Sequence, residues 1–167
     1  GRVLMGRPES VIHWLLVGLL AATAVTCLLL PEAPPDSDGG KRPPLRAILA
    51  NPGFLLFLAA AGLIQSSHGV YYGFATLYWK TLGHSESVIG ALWAEGVIAE
   101  IVLFAFSGRV TRRLSPTTLI LIGAAGAVIR WSLTGLTDAL PVLAVVQVLH
   151  AATYGATHLG AITFIMQ

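Results

Sequence analysis

The stretch VVQVLHAATYGATHLGAI, residues 145–162, combines the length of a membrane-spanning helix with a row of polar side chains. Most of it is apolar or small, yet Gln147, His150, Tyr154 and His158 recur at offsets of 0, 3, 7 and 11 residues. At about 100° per residue, these four side chains share one face of an α-helix. A helix that faced only lipid would not need such a stripe. The stretch therefore predicts a membrane helix that borders a polar interior.

The composition of the whole chain agrees with a membrane protein. Of its 167 residues, 55% are hydrophobic and 11% are charged, and the mean hydropathy is +0.76. Soluble domains carry about 25% charged residues, so the polar surface is too scarce to cover a soluble globule. The basic residues are scattered rather than aligned on one helix, which argues against a nucleic-acid partner. A single cysteine excludes an internal disulfide and a zinc site built on paired cysteines.

Five apolar segments reach the length of about 20 residues that crosses a bilayer. They cover residues 11–30, 53–79, 88–107, 117–136 and 140–165. We therefore predict an all-α integral membrane protein with five transmembrane helices. The chain starts at Gly1 and stops at Gln167 inside an apolar run, so we expect it to be a piece of a longer protein.

Two basic segments predict the orientation in the membrane. The first, PEAPPDSDGGKRPPLRAILANPG (31–53), is rich in proline, glycine and charge, which predicts a solvated connection without a helix. The second, GRVTRRLSP (108–116), is a short loop between two spans. Together they hold six basic residues close to span ends, against three on the other side. The positive-inside rule then places residues 31–52 and 108–116 in the cytoplasm.

Ionisable side chains inside the spans are candidates for function, because a charge at mid-bilayer is costly unless it meets protein or water. In the second span, Gln65, His68 and Tyr72 share one helix face, as the four polar residues of the fifth span do. Small residues beside the fifth-span stripe would let another helix approach closely.

The third and fourth spans add charged residues. Glu95 and Glu100 are five residues apart, about 140° around the helix, so they cannot serve one site together. Arg130 in the fourth span requires an anionic partner, and Glu100 is the expected one.

Catalytic motifs are missing from the sequence. It contains no paired-histidine zinc motif, no GxSxG, no Walker loop and no GxGxxG after a strand. We therefore predict no catalytic residues, no cofactor and no metal, and a protein that is not an enzyme. One alternative stays open, namely a membrane electron-transfer or enzymatic subunit in which His68 and His150 hold a metal or haem.

Four stretches are typical of one transporter family: GLIQSSHGVYYGFATLYW (62–79), IGALWAEGVIAEIVLF (89–104), VIRW (128–131) and VVQVLHAATYGATHLGAI (145–162). With them, the chain resembles the major facilitator superfamily. It is most similar to the branch of 3-phenylpropionate/cinnamate permeases, which are relatives of oligosaccharide and nucleoside proton symporters. The loop SGRVTRRLS (107–115) resembles the basic loop between helices 8 and 9 of these transporters, although it lacks their acidic residue.

The resemblance implies that the chain covers about helices 6–10 of twelve. Residues 1–30 would be the last helix of the N-terminal half, residues 31–52 the linker between the halves, and residues 53–167 the first four helices of the C-terminal half. Helices 7, 8 and 10 border the substrate cavity in this family. Helix 9 lies further out, and Arg130 on it would reach inward. The candidate site residues are therefore Gln65, His68, Tyr72, Glu100, Arg130, Gln147, His150, Tyr154 and His158.

The function that this resemblance implies is secondary active transport. The protein would import a small organic solute, an aromatic carboxylate, by proton symport with alternating access. It would reside in the cell (inner) membrane as a multi-pass monomer, with the lipid bilayer, protons and the solute as its partners. Glu100, Arg130 and His150 resemble in kind the charged residues of proton–sugar symporters, but no acidic residue follows His150 here. The expected mechanism is that Glu100 binds Arg130 until a proton releases it.

Overall fold

The computed structural model describes Val17, Gly18, Ala21 and Val25, and then residues 44–166. The chain divides into two compact units, Gly1–Pro44 and Leu45–Gln167. The helices described below all lie in the second unit. Apart from the four residues named, the predicted first span (11–30) lies outside the described residues, as does the predicted connection up to residue 43.

Residues 44–166 form helices and no strand. The elements are α1 (Leu45–Leu49), α2 (Pro52–Thr81), α3 (Glu86–Ala105), α4 (Ser107–Arg113), α5 (Pro116–Leu136), α6 (Leu140–Val148), a π-helical segment (Ala151–Ala156) and α7 (Thr157–Ile165). The last three follow one another directly, with only Leu149 and His150 between α6 and the π-helical segment, and form one composite helix, Leu140–Ile165.

Four helices are long and apolar enough to cross a membrane: α2, α3, α5 and the composite helix. They confirm the second to fifth predicted spans to within about two residues at each end, and they confirm the all-α membrane class. The agreement arises because a run of about 20 apolar residues without a breaker can satisfy its backbone polar groups in lipid only as a helix.

Two segments predicted as loops contain short helices, so the prediction of irregular structure was wrong there. Helix α1 starts directly after Pro44, where the chain LRAIL no longer contains proline or glycine. Helix α4 follows α3 after one residue, and its last turn carries Arg112 and Arg113. Cations at this end favour a helix because they oppose the negative end of its dipole.

Polar caps fix where the long helices begin. The side chain of Asn51 accepts hydrogen bonds from the backbone N–H groups of Gly53 and Phe54, at 2.8 and 3.3 Å. Ser85 caps α3 and Ser115 caps α5 in the same manner. At the end of α2, Gly83 takes a left-handed conformation (φ +81°) that reverses the chain towards α3.

Helix α2 packs against different partners along its length. Its first half contributes Phe57 and Ile64 to an apolar cluster with Ile120 of α5, and Phe57 stacks on Phe164 of α7 at 4.2 Å. Its second half contributes Tyr71, Ala75 and Trp79 to another cluster, with Ile89, Leu92 and Leu143 of α3 and α6. The polar residues of the candidate site lie where α2 changes from one cluster to the other.

Glycines allow α5 and the composite helix to touch closely. A Cβ atom on Gly160 would lie 2.9 Å from the carbonyl oxygen of Pro116 and 3.0 Å from Cβ of Leu119. A Cβ on Gly126 would lie 3.3 Å from Cγ2 of Thr153. Small residues at such crossings let two membrane helices approach at backbone distance.

We expect Gly160→Ala to destabilise the protein, since the added methyl must push the backbone of α5 away. Overpacking of this kind costs about 1–3 kcal/mol. The measurement is the temperature at which half of the purified protein in detergent ceases to be monodisperse. Gly73→Ala is the control, because a Cβ at Gly73 meets no atom within 4 Å. Equal midpoints for the two variants would contradict the packing argument.

Candidate functional site

A cavity of about 520 Å³ lies between α2, α3, α5 and the composite helix. Aromatic rings and polar groups share its wall with a short apolar stretch of α3. The lining residues are Tyr72, Trp93, Gly96, Val97, Glu100, Arg130, Gln147, His150 and Tyr154. Its size is within the range of about 300–1,000 Å³ that is usual for small-molecule sites.

Arg130 is the central charge of the site, and its side chain is only 1% exposed. Its Nη1 donates to Nδ1 of His150 at 3.1 Å and to Oγ1 of Thr153 at 3.0 Å, and its Nη2 donates to Oε1 of Gln147 at 3.1 Å. The guanidinium also lies over the rings of Tyr71 and Trp131, with centroid distances of 4.9 and 4.7 Å. All these partners are uncharged acceptors or ring faces, which stabilise a buried cation without neutralising it.

The expected ion pair between Arg130 and Glu100 is not formed. Among the described residues, no carboxylate lies within 4.0 Å of the guanidinium, and Nε of Arg130 has no hydrogen-bond partner. Glu100 instead places Oε2 at 3.4 Å from Nε2 of His150. His150 therefore stands between the arginine and the glutamate, and the positive charge of Arg130 has no direct counter-ion in this part of the chain.

The contact with Arg130 determines the tautomer of His150. A guanidinium only donates hydrogen bonds, so Nδ1 of His150 must accept and carries no proton. In the neutral ring, the proton then resides on Nε2, where it faces the carboxylate of Glu100. Arg130 thus donates a hydrogen bond to His150, and His150 in turn points its own N–H group at Glu100.

His68 adopts the opposite tautomer. Its Nδ1 lies 2.9 Å from the carbonyl oxygen of Ile64, which can only accept, so Nδ1 carries the proton. Nε2 of the neutral ring is then the acceptor, and it lies 3.1 Å from the hydroxyl oxygen of Thr153. The two histidines, whose ring centroids are 5.7 Å apart, thus carry their protons on different ring nitrogens.

Gln147 also has a fixed orientation. Because Oε1 accepts from Arg130, its Nε2 is the donor in the hydrogen bond with the hydroxyl group of Tyr71. Gln147 is 1% exposed, although it borders the cavity. Its amide therefore lies beside the guanidinium of Arg130 at the cavity wall.

Aromatic rings form the remaining walls. Tyr72 of α2 and Trp93 of α3 face each other with centroids 5.7 Å apart, and Nε1 of Trp93 donates to Oγ1 of Thr76 at 2.9 Å. Tyr154 stacks on His150, with centroids 5.3 Å apart and planes 27° apart. These ring faces and edges are suited to a flat apolar group.

The π-helical segment shapes the composite helix at this point. It covers Ala151–Ala156 and includes Thr153 and Tyr154, directly after His150. Wider turns of this kind are frequent at functional sites, because they redirect side chains within a continuous helix. The sequence periodicity predicted a regular helix here, so this segment is a correction to that prediction.

The structure brings together six of the nine predicted site residues at the cavity: Tyr72, Glu100, Arg130, Gln147, His150 and Tyr154. His68 is buried behind the wall and reaches Arg130 through Thr153. Gln65 does not line the cavity. His158 is exposed, with its ring stacked on Tyr154 at 6.2 Å.

The predicted site residues do not include Trp93, Gly96, Val97 and Thr153. Trp93, Gly96 and Val97 lie three to seven residues before Glu100 on one face of α3, so helical spacing from Glu100 could have found them. Thr153 gave no usable signal, because threonine is frequent in membrane helices and often bonds to its own backbone.

The alternative of a metal or haem site on the histidines is not favoured. The ring nitrogens of His68 face a backbone carbonyl and Thr153, and those of His150 face Arg130 and Glu100. No group of three or more histidine, cysteine or acidic residues in the described part of the chain could hold a metal ion.

Comparisons with known proteins agree with the membrane helices. The MFS_1 like family matches residues 4–167 of the chain. The "Probable 3-phenylpropionic acid transporter" of Escherichia coli (strain K12) is 46% identical over 109 residues, which is 65% of this chain and 29% of that protein. The chain thus spans less than a third of the length of this relative. No solved structure matches.

These comparisons confirm the resemblance to the phenylpropionate permease branch. They also agree with the prediction that the chain is not an enzyme, because the family and the relative are transporters.

We expect nitrogen-15 NMR of histidine-labelled protein in lipid, at mildly alkaline pH, to show opposite tautomers for the two buried rings. His150 should carry its proton on Nε2 and His68 on Nδ1, because their fixed partners only donate and only accept, respectively. The variants His150→Gln and His68→Gln assign the signals. A proton on Nδ1 of His150 would show that Arg130 is not its donor.

Proposed function

This chain belongs to the MFS_1 like family of major facilitator superfamily transporters, and we propose that it forms the substrate and proton site of a secondary active transporter. The solute would be a small aromatic carboxylate, taken up together with a proton. The name of the relative, a probable 3-phenylpropionic acid transporter, supports this class of solute.

The observation that carries the proposal is the buried positive charge of Arg130, which has no carboxylate partner among residues 44–166. A charge removed from water needs a counter-ion or strong hydrogen bonds. Two of its three acceptors, Gln147 and His150, border the cavity. Hydrogen bonds to a carboxylate are about twice as strong as those between neutral groups. A carboxylate entering the cavity would therefore replace these neutral acceptors at the guanidinium.

The aromatic part of the solute would occupy the remainder of the cavity. Tyr72 and Trp93 form one wall, and Tyr154 lies on the composite helix. Offset or edge-to-face contacts with a phenyl ring contribute about 0.5–1.5 kcal/mol each beyond the burial of area. The volume of about 520 Å³ leaves space for a single-ring acid.

Proton coupling would follow from charge balance inside the cavity. With Glu100 ionised, its negative charge compensates Arg130 through the polarised ring of His150. A proton on Glu100 removes that compensation and leaves one positive charge. A substrate carboxylate then restores neutrality, so proton and substrate favour each other's binding in a medium of low dielectric constant. This replaces the expected mechanism of a direct bond between Glu100 and Arg130.

The proposal includes alternating access, in which the cavity opens to one side of the membrane at a time. It places the protein in the cell (inner) membrane as a monomer. Three further points stay predictions. Residues 31–52 and 108–116 would be cytoplasmic. The chain would consist of a last N-terminal helix (1–30), a linker (31–52) and four C-terminal helices (53–167), and it would cover helices 6–10 of the family.

We expect Arg130→Gln to raise the KM for uptake of 3-phenylpropionate about 30-fold or more, since losing one partner of a buried charge pair costs at least about 2 kcal/mol. Uptake of radiolabelled 3-phenylpropionate into vesicles reconstituted with the intact protein provides the measurement. Lys80→Gln removes an exposed cation and should leave the KM unchanged. 3-Phenylpropanol, which has the ring but no charge, should not compete. Effective competition by the alcohol would contradict carboxylate recognition.

We expect Glu100→Gln to abolish substrate-driven proton uptake while exchange of labelled for unlabelled substrate continues. The amide cannot take up the proton, but it preserves the shape of the site. A pH-sensitive dye inside the same vesicles reports proton entry, and Glu86→Gln, an exposed residue on the same helix, is the matched control. Unaltered proton uptake in Glu100→Gln would refute this role.

A further inference from the structure

Thr153 occupies a junction between three helices that the proposed transport mechanism does not yet use. Its side chain is fully buried (0% exposed) in the π-helical segment. The hydroxyl oxygen lies 3.0 Å from Nη1 of Arg130 on α5 and 3.1 Å from Nε2 of His68 on α2. Thr153 does not line the cavity.

The directions of these hydrogen bonds follow from the partners. Arg130 only donates, so the hydroxyl oxygen accepts from it. Neutral His68 carries its proton on Nδ1, so its Nε2 can accept the hydroxyl proton of Thr153 at 3.1 Å, which is closer than the other acceptor of that proton, the backbone carbonyl oxygen of His150 at 3.4 Å. The hydroxyl thus donates on one side and accepts on the other, as serine could do and valine or alanine could not.

Packing holds the threonine in this position. A Cβ atom on Gly126 of α5 would lie 3.3 Å from Cγ2 of Thr153, so the methyl group lies close against α5. Arg130 comes from the same helix, one turn further along. The methyl group of Thr153 therefore packs on the same helix, α5, that carries the guanidinium contacted by its hydroxyl group.

The three acceptors around Arg130 differ in one respect that matters for binding. Gln147 and His150 border the cavity, where an incoming carboxylate would displace them, whereas Thr153 lies behind the wall. We propose that Thr153 is the positioning residue that keeps the guanidinium of Arg130 oriented while a substrate carboxylate replaces its other acceptors. This inference rests on the proposed function. It gives His68 the task of orienting the Thr153 hydroxyl.

The test is the kinetics of 3-phenylpropionate uptake into vesicles that contain the intact protein. Thr153→Val keeps the shape of the side chain but loses the hydroxyl, and we expect the KM to rise about tenfold, as for the loss of a hydrogen bond to a charged group. Vmax per folded protein should change less than about twofold, because the lost hydrogen bond is expected to weaken substrate binding rather than the later steps of transport. Thr153→Ser should stay within about threefold of the wild-type KM, because it retains the hydroxyl.

Two comparisons separate positioning from a merely structural role. Thr163→Val is the matched control, since within residues 44–166 the hydroxyl of Thr163 bonds only to backbone carbonyls of its own helix, and its KM should equal that of the wild type. If Thr153→Val does not fold, Thr153→Ala and Thr153→Ser form a pair that differs only in the hydroxyl, and the alanine variant should show the higher KM.

The outcomes test the positioning role of Thr153 and the proposed function separately. A wild-type KM in Thr153→Val, or equal KM values in the serine and alanine variants, would overturn the positioning role and leave the proposed function standing. Absence of 3-phenylpropionate uptake by the wild-type protein would overturn both.

Discussion

The burial of the Arg130 guanidinium is the constraint on which the site depends. A cation at 1% exposure must recover its lost hydration through hydrogen bonds. All three of its acceptors, Gln147, His150 and Thr153, come from the composite helix. They can reach Arg130 because Gly126 lets α5 and that helix approach closely. The tight helix crossing and the buried charge thus require each other, and a wider crossing would leave the cation unsatisfied.

His150 separates the two charged side chains of the site, Arg130 and Glu100. In the proposed mechanism, this separation lets the site respond to a proton. A direct pair between Arg130 and Glu100 would have cancelled both charges. With His150 between them, the two charges are not in direct contact, and both side chains border the cavity. The same ring cannot accept a proton on Nδ1 while Arg130 donates to it. In the proposed mechanism, the carboxylate rather than the imidazole is therefore the group that binds the coupling proton.

The spanning helices and the polar stripe were predictable from the sequence because both are local properties. Hydropathy over about 20 residues identifies a span, and spacing along one helix aligns Gln147, His150 and Tyr154. The partners of Arg130 were not predictable, since they depend on how helices distant in the chain cross. An acidic partner was the natural expectation for a buried cation, yet neutral acceptors satisfy it. Thr153 was missed because nothing in its local sequence separates it from any other threonine in a membrane helix.

Neutral acceptors suit the proposed role of the site, which is to bind and release an anion. A permanent carboxylate partner would compete with the substrate for the guanidinium, and breaking such a buried pair costs about 3–5 kcal/mol. A guanidinium without acceptors would be too costly to keep buried once the substrate has left. Amide, imidazole and hydroxyl groups lie between these limits, because they satisfy the cation in the empty cavity, and in the proposed mechanism the amide and the imidazole yield to a carboxylate. Two of these acceptors border the cavity and one lies behind it, so in the proposed mechanism the anion can exchange while the arginine keeps its place.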